Sequence, residues 1–126
     1  MKQHEVWLNK ARNDLLSANK LIAGEEPVID TAVYHTHQCA EKSLKAFLAF
    51  KNRAIIRTHD LITLVDICVE LNPDFTKLYE LAEELNPYSI LFRYTAEIME
   101  PDMSEALDAI QKAKQVLDFV IRKLAN

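Results

Sequence analysis

The stretch Tyr34-His35-Thr36-His37-Gln38-Cys39-Ala40-Glu41-Lys42-Ser43-Leu44-Lys45-Ala46-Phe47-Leu48 decides the fold. Its apolar members Ala40, Leu44, Phe47 and Leu48 recur at three- and four-residue steps, which an α-helix gathers on one face. His35, Gln38, Lys42 and Lys45 fall on a second line by the same steps. Glu41 and Lys45 are four apart, in the order that favours an ion pair. The pattern predicts a helix from about Ile29 to Lys51, with a core stripe on one side and a solvated polar face on the other.

The same periodicity extends in both directions. Trp7, Leu8, Ala11, Leu15, Ala18 and Ile22 mark a helix from about Lys2 to Ala23, stopped by Gly24 and followed by the connection Glu25-Glu26-Pro27. Beyond a loop at 52–57, Thr58 reads as an N-cap, with His59 and Asp60 in the first turn. A third helix then carries Leu61, Leu64, Val65, Cys68 and Leu71. Asn72-Pro73 caps and opens a fourth, with Phe75, Leu78, Leu81, Ala82 and Leu85. Asn86-Pro87 repeats the device and opens a short turn through Phe92. Residues 93–101 are the least regular. A last helix from about Ser104 to Leu124 carries Ala106, Leu107, Ile110, Ala113, Leu117, Val120, Ile121 and Leu124.

Composition agrees with this reading. Apolar residues make up 49% of the 126, and one glycine leaves little material for strand corners and tight turns. No linker or repeat divides the chain, so residues 1–126 are expected to form one all-α domain. Short links between long helices favour antiparallel neighbours. The expected architecture is an up-and-down four-helix bundle, with an additional short helix before the last long one.

Several functions are disfavoured. The longest apolar run, Ala46–Phe50, is too short for a bilayer, and Met1-Lys2-Gln3-His4-Glu5 lacks the apolar run of a signal peptide. A cytoplasmic protein without membrane attachment is expected. Cys39 and Cys68 fit no metal or redox spacing and read as buried thiols in a reducing compartment. His35 and His37 point to different faces and do not form a zinc pair, and HExxH, Walker and GxGxxG motifs are lacking, so neither a metal nor a cofactor is expected.

The net charge of −4 argues against a general nucleic-acid coat. The charge is uneven, however. Lys42, Lys45, Lys51, Arg53 and Arg57 form a run without an acid, whereas residues 66–108 hold eleven acids against only Lys77 and Arg93. A basic strip on an acidic body suits a local phosphate site better than a long duplex.

Gln38, Ala40, Glu41, Lys42, Leu44, Lys45, Ala46 and Leu48, followed by Thr58-His59-Asp60-Leu61, carry a resemblance to the HEPN domain family. Trp7, Ala11, Asp14, Leu15 and Ala18 resemble the family's first helix. The Arg-Tyr-Pro often found before its last helix is here Arg93-Tyr94-Thr95, without the proline. The resemblance covers nearly the whole chain. It implies a helical module that binds a nucleotide or an RNA segment, or serves a partner minimal nucleotidyltransferase, in some members as half of a toxin–antitoxin pair. It also implies a homodimer. The expected contact residues are Gln38, Lys42, Lys45, His59 and Arg93, oriented by Glu41 and Tyr94, with Lys45 and Arg93 converging on one pocket.

Two alternatives stand beside this reading. One branch of the family resembles metal-independent ribonucleases built on an Arg, four to six residues, and a His. Arg53 and His59 match that string, with Arg to hold the phosphate and His to move the proton of the 2′-hydroxyl. The string straddles a loop, away from the later helix where the motif belongs. The other alternative is a purely structural interaction subunit.

Overall fold

The computed structural model describes residues 1–91 and 101–125. They form helices α1 (Gln3–Ile22), α2 (Ile29–Phe50), α3 (Leu61–Leu71), α4 (Tyr79–Leu85), α5 (Tyr88–Leu91) and α6 (Met103–Leu124), with a 3-10 turn at Pro73–Leu78. No strand occurs among the described residues. The all-helical bundle expected from the periodicity is what the chain forms.

Side-chain pairs fix the direction of each element. His4 meets Phe50, Trp7 meets Lys45 and Asp14 meets His35, so α1 and α2 run antiparallel. Asn86 meets Asp60 and Tyr79 meets Asp66, so α4 returns along α3. Lys112 pairs with Glu84 and Lys123 with Asp74, so α6 reverses again. Direction therefore alternates through α1, α2, the Pro73–Leu85 unit and α6.

The segment α3 departs from the antiparallel rule for neighbouring helices. His37 reaches the His59 carbonyl and Cys68 reaches the Leu44 carbonyl, so numbers rise together and α3 runs alongside α2 in the same direction. The cause lies in residues 51–60. Ile55 and Ile56 are half-buried against the core, so this segment lies back along the bundle instead of turning at its end. Its ten residues can span roughly 30 Å when extended, more than the ~20 Å rise of α2 from His37 to Phe50. His59 is thereby returned to the middle of α2.

Local chemistry corrects two caps. Asp60, not Thr58, caps α3: its carboxylate accepts from the Ile62 amide at 3.0 Å and the Thr63 hydroxyl at 2.8 Å. Thr58 Oγ1 accepts from the Asp60 amide instead, so His59 and Asp60 precede the helix. A carboxylate is the stronger acceptor at the positive helix end, and these hydrogen bonds hold the Asp60 carboxyl below its usual range. The Asn86 carbonyl does open the short turn that leads into α5, accepting from the Ser89 amide, but the Asn86 side chain does not cap it. Its Oδ1 accepts from the Leu61 amide at 2.9 Å and its Nδ2 donates to Asp60 at 3.0 Å, so it closes the start of α3 from across the bundle. Asn72 does cap forward onto Asp74, yet the turn after Pro73 stays 3-10 as far as Leu78 before becoming α-helical.

The core centres on α2. The rings of Phe47 and Phe75 stand 4.3 Å apart, and Phe119 meets Phe75 edge-on at 5.0 Å. Cys39 and Cys68 are free and buried, and burial pushes both thiols up to about 12. No helix among the described residues is long and apolar enough to cross a membrane.

Candidate functional site

The polar line of α2 is not the solvated face its composition suggests. It is the seam against α1 and the His59 segment. Two carboxylates organise it, and both are almost withdrawn from water: Asp14 is 6% exposed and Glu41 4%. Asp14 Oδ1 lies 2.8 Å from His35 Nδ1, and its Oδ2 accepts from Lys42 Nζ at 2.7 Å. Glu41 Oε1 lies 2.8 Å from His59 Nδ1, and its Oε2 accepts from Lys45 Nζ at 2.9 Å. Each carboxylate thus bridges one imidazole and one ammonium. Gln38, also buried, lies between the two groups on the helix. Trp7 of α1 covers Lys45, whose Nζ stands 5.5 Å from the indole centroid.

Ion pairs in such surroundings need complete partners, because a buried charge left alone is costly. Here each carboxylate spends both oxygens on cationic or imidazole donors. Asp14 and Glu41 neutralise Lys42 and Lys45. The imidazoles remain partly open, with His35 at 28% side-chain exposure and His59 at 57%.

A third histidine supports the second group from behind. His37 is fully buried and donates from Nε2 to the His59 carbonyl at 2.8 Å. Its Nδ1 is the one buried side-chain nitrogen or oxygen among the described residues that lacks a hydrogen bond. Burial pulls its pKa below the ordinary imidazole value, opposed more weakly by the Glu41 charge and the His59 carbonyl. The unfolded chain protonates this ring near ~6.5 and the folded chain only at lower pH. Its contribution to stability is therefore complete above ~6.5 and is lost as pH falls from there toward the folded value. Urea unfolding between pH 7.5 and 5 is expected to show that loss, and His37→Gln to flatten it. An unchanged slope in the variant would remove His37 as the cause.

Gln38, Glu41, Lys42, Lys45 and His59 come together on one seam. Arg93 and Tyr94 lie outside the described residues, and so does the pocket expected between Lys45 and Arg93. Arg53 is drawn elsewhere: its guanidinium pairs with Glu70 at 3.2 Å, in the last turn of α3, whereas His59 precedes the first turn. The 11 residues of α3 separate those ends by roughly 16 Å. Among the described residues, no three His, Cys, Asp or Glu side chains converge as a metal site.

Sequence reading missed the partnership of Asp14, His35 and Lys42, the support from His37, and the Trp7 cover. A signal was available for the first. Asp14 sits between Ala11 and Ala18 on the apolar stripe of α1, and an acid in that register demands a buried cation.

A family model described as the HEPN domain matches residues 4–124. Among solved structures, the chain is similar to the crystal structure of an archaeal HEPN homologue, with a TM-score of 0.73, 24% identity, and coverage of 98% of this chain and 99% of that one. No curated protein matches the chain at a significant level. A match spanning all but the first three and last two residues, over the same α2 residues that form the seam, identifies this chain as a member of the HEPN domain family.

Proposed function

We propose that this chain is a HEPN binding module that engages a nucleotide or an RNA segment at the α2 seam, acting as a homodimer beside a minimal nucleotidyltransferase in a toxin–antitoxin pair. The observation that carries the reading is the pair of solvent-reaching imidazoles, each fixed at Nδ1 by a buried carboxylate. Side chains held this way lose little conformational freedom on binding, which is the property of a prepared contact. His59 and His35 are the outward contacts, Glu41 and Asp14 orient them, and Gln38, Lys42 and Lys45 complete the seam. The test is fluorescence anisotropy with a short labelled single-stranded RNA. His59→Ala is expected to weaken binding about tenfold, the scale of one to two hydrogen bonds. Equal binding by parent and variant would remove His59 from the site.

The salt dependence is expected to be shallow. Of the five basic residues from Lys42 to Arg57, Lys42 and Lys45 pair with buried carboxylates and Arg53 with the exposed Glu70, which leaves Lys51 and Arg57 without an ion pair among the described residues. Two phosphate contacts on a single strand give a slope of log K against log salt near −1.4. A slope steeper than about −3 would mean that the internal pairs open on binding.

A second reading, a metal-independent ribonuclease using Arg53 and His59, draws support from the His59–Glu41 pair, the arrangement that orients a general base. It requires Arg53 to leave Glu70 and approach His59. Incubation of the protein with RNA in EDTA is expected to yield no cleavage. Cleavage by the parent that is lost in both Arg53→Ala and His59→Ala would make this reading primary.

A further inference from the structure

The duplicated His–carboxylate–Lys arrangement has a consequence for what can bind. An ionised carboxylate only accepts hydrogen bonds, so a ring nitrogen 2.8 Å from it must carry the proton. In the neutral imidazole the other nitrogen is then an acceptor. Asp14 thus makes His35 Nε2, and Glu41 makes His59 Nε2, the acceptor of its ring, and both side chains are partly exposed, at 28% and 57%. The formal charges also cancel within each group: Asp14 against Lys42, and Glu41 against Lys45. A phosphate oxygen, itself an acceptor, finds there neither excess positive charge nor a free ammonium. A hydroxyl does find a partner, because it donates.

We propose that this seam is a ribose-reading site, in which His35 Nε2 and His59 Nε2 accept hydrogen bonds from sugar hydroxyls of the ligand. This makes His35, with Asp14 and Lys42, a second station beside His59. The inference rests on the nucleotide- or RNA-binding reading and adds what part of the ligand is recognised. The shared chemistry is the ribose hydroxyl, whether it belongs to a free ribonucleotide or to an RNA strand.

The experiment compares labelled pentanucleotides of one sequence as RNA, DNA and 2′-O-methyl RNA, together with adenosine and deoxyadenosine 5′-monophosphate. The full chain is assayed at pH 8. RNA is expected to bind about tenfold tighter than DNA and than 2′-O-methyl RNA, which keeps the oxygen but has lost the donor. His35→Phe and His59→Phe are each expected to reduce that ratio toward one, while melting temperature reports whether either variant has lost its fold. The same ratio between the two monophosphates assigns the site to a free nucleotide, and a ratio confined to the pentanucleotides assigns it to a strand. RNA and DNA binding with equal affinity, yet with loss in His59→Phe, would overturn ribose reading and leave the binding module standing. No binding of any ligand would overturn both.

Discussion

Glu41→Leu is expected to lower the stability of this domain by about 3 kcal/mol, the cost of leaving one member of a buried ion pair unpartnered. For a domain of this size that corresponds to a melting point roughly 10 °C lower. Lys45 carries the loss. It is buried against Trp7, and Glu41 is its ion-pair partner. His59, already largely in water, pays little in stability but loses its orientation. The double variant Glu41→Leu/Lys45→Met is therefore expected to recover most of the loss, because two apolar side chains can fill the seam without a stranded charge. A coupling of about 2 kcal/mol in the double-mutant cycle would express this. Chemical denaturation of the four proteins reads it directly. A single-variant cost below about 1 kcal/mol, or additive effects, would mean that water already reaches Lys45 and that the pair contributes only as a surface ion pair does.

Phe75→Ala is expected to be at least as costly, about 4 kcal/mol, through loss of buried surface and the cavity left behind. The ring is fully buried, stands 4.3 Å from Phe47 and 5.0 Å from Phe119, and is carried by the 3-10 turn, not by a long helix. With Leu78, Ala82 and Leu85 it packs the Pro73–Leu85 unit into the core, and its ring is the one that meets Phe47 of α2 and Phe119 of α6. Urea unfolding should show the midpoint falling at unchanged slope. A loss under about 2 kcal/mol would indicate that Phe47 and Phe119 close the gap.

Helix placement was legible because apolar periodicity survives any tertiary detail: Leu8, Ala11 and Ala18, then Leu44, Phe47 and Leu48, are buried where their spacing puts them. The direction of α3 was not legible. Nothing in residues 51–60 distinguishes a tight reversal from a segment lying along the bundle until Ile55 and Ile56 are seen packing on the core. The caps failed for a related reason. Thr58 and Asp60 both suit an N-cap, and the choice depends on Asn86, which is adjacent only in space.

The candidate site was half legible. Gln38, Glu41, Lys42, Lys45 and His59 were picked out by helical spacing and by family resemblance, and the structure assembles them on one seam. Their chemistry was misjudged, because one helix projected alone shows a polar face as open to solvent. Asp14 arrives from α1 to pair with Lys42, Glu41 of α2 itself pairs with Lys45, and His59 arrives from the returning segment to cover Glu41, so the two lysines of the strip are answered by carboxylates. That pairing moves attention from phosphate attraction to the outward imidazole nitrogens.

Binding through the seam depends on the protonation and accessibility of those nitrogens. Long-range 1H–15N NMR of the histidine rings, recorded at pH 8 with and without saturating single-stranded RNA, reads both. His35 and His59 are predicted to carry the proton at Nδ1, held by Asp14 and Glu41, with their Nε2 resonances moving on addition of RNA and the buried His37 ring unmoved. Rings of His35 and His59 protonated at Nε2, or Nε2 resonances indifferent to saturating RNA, would contradict it.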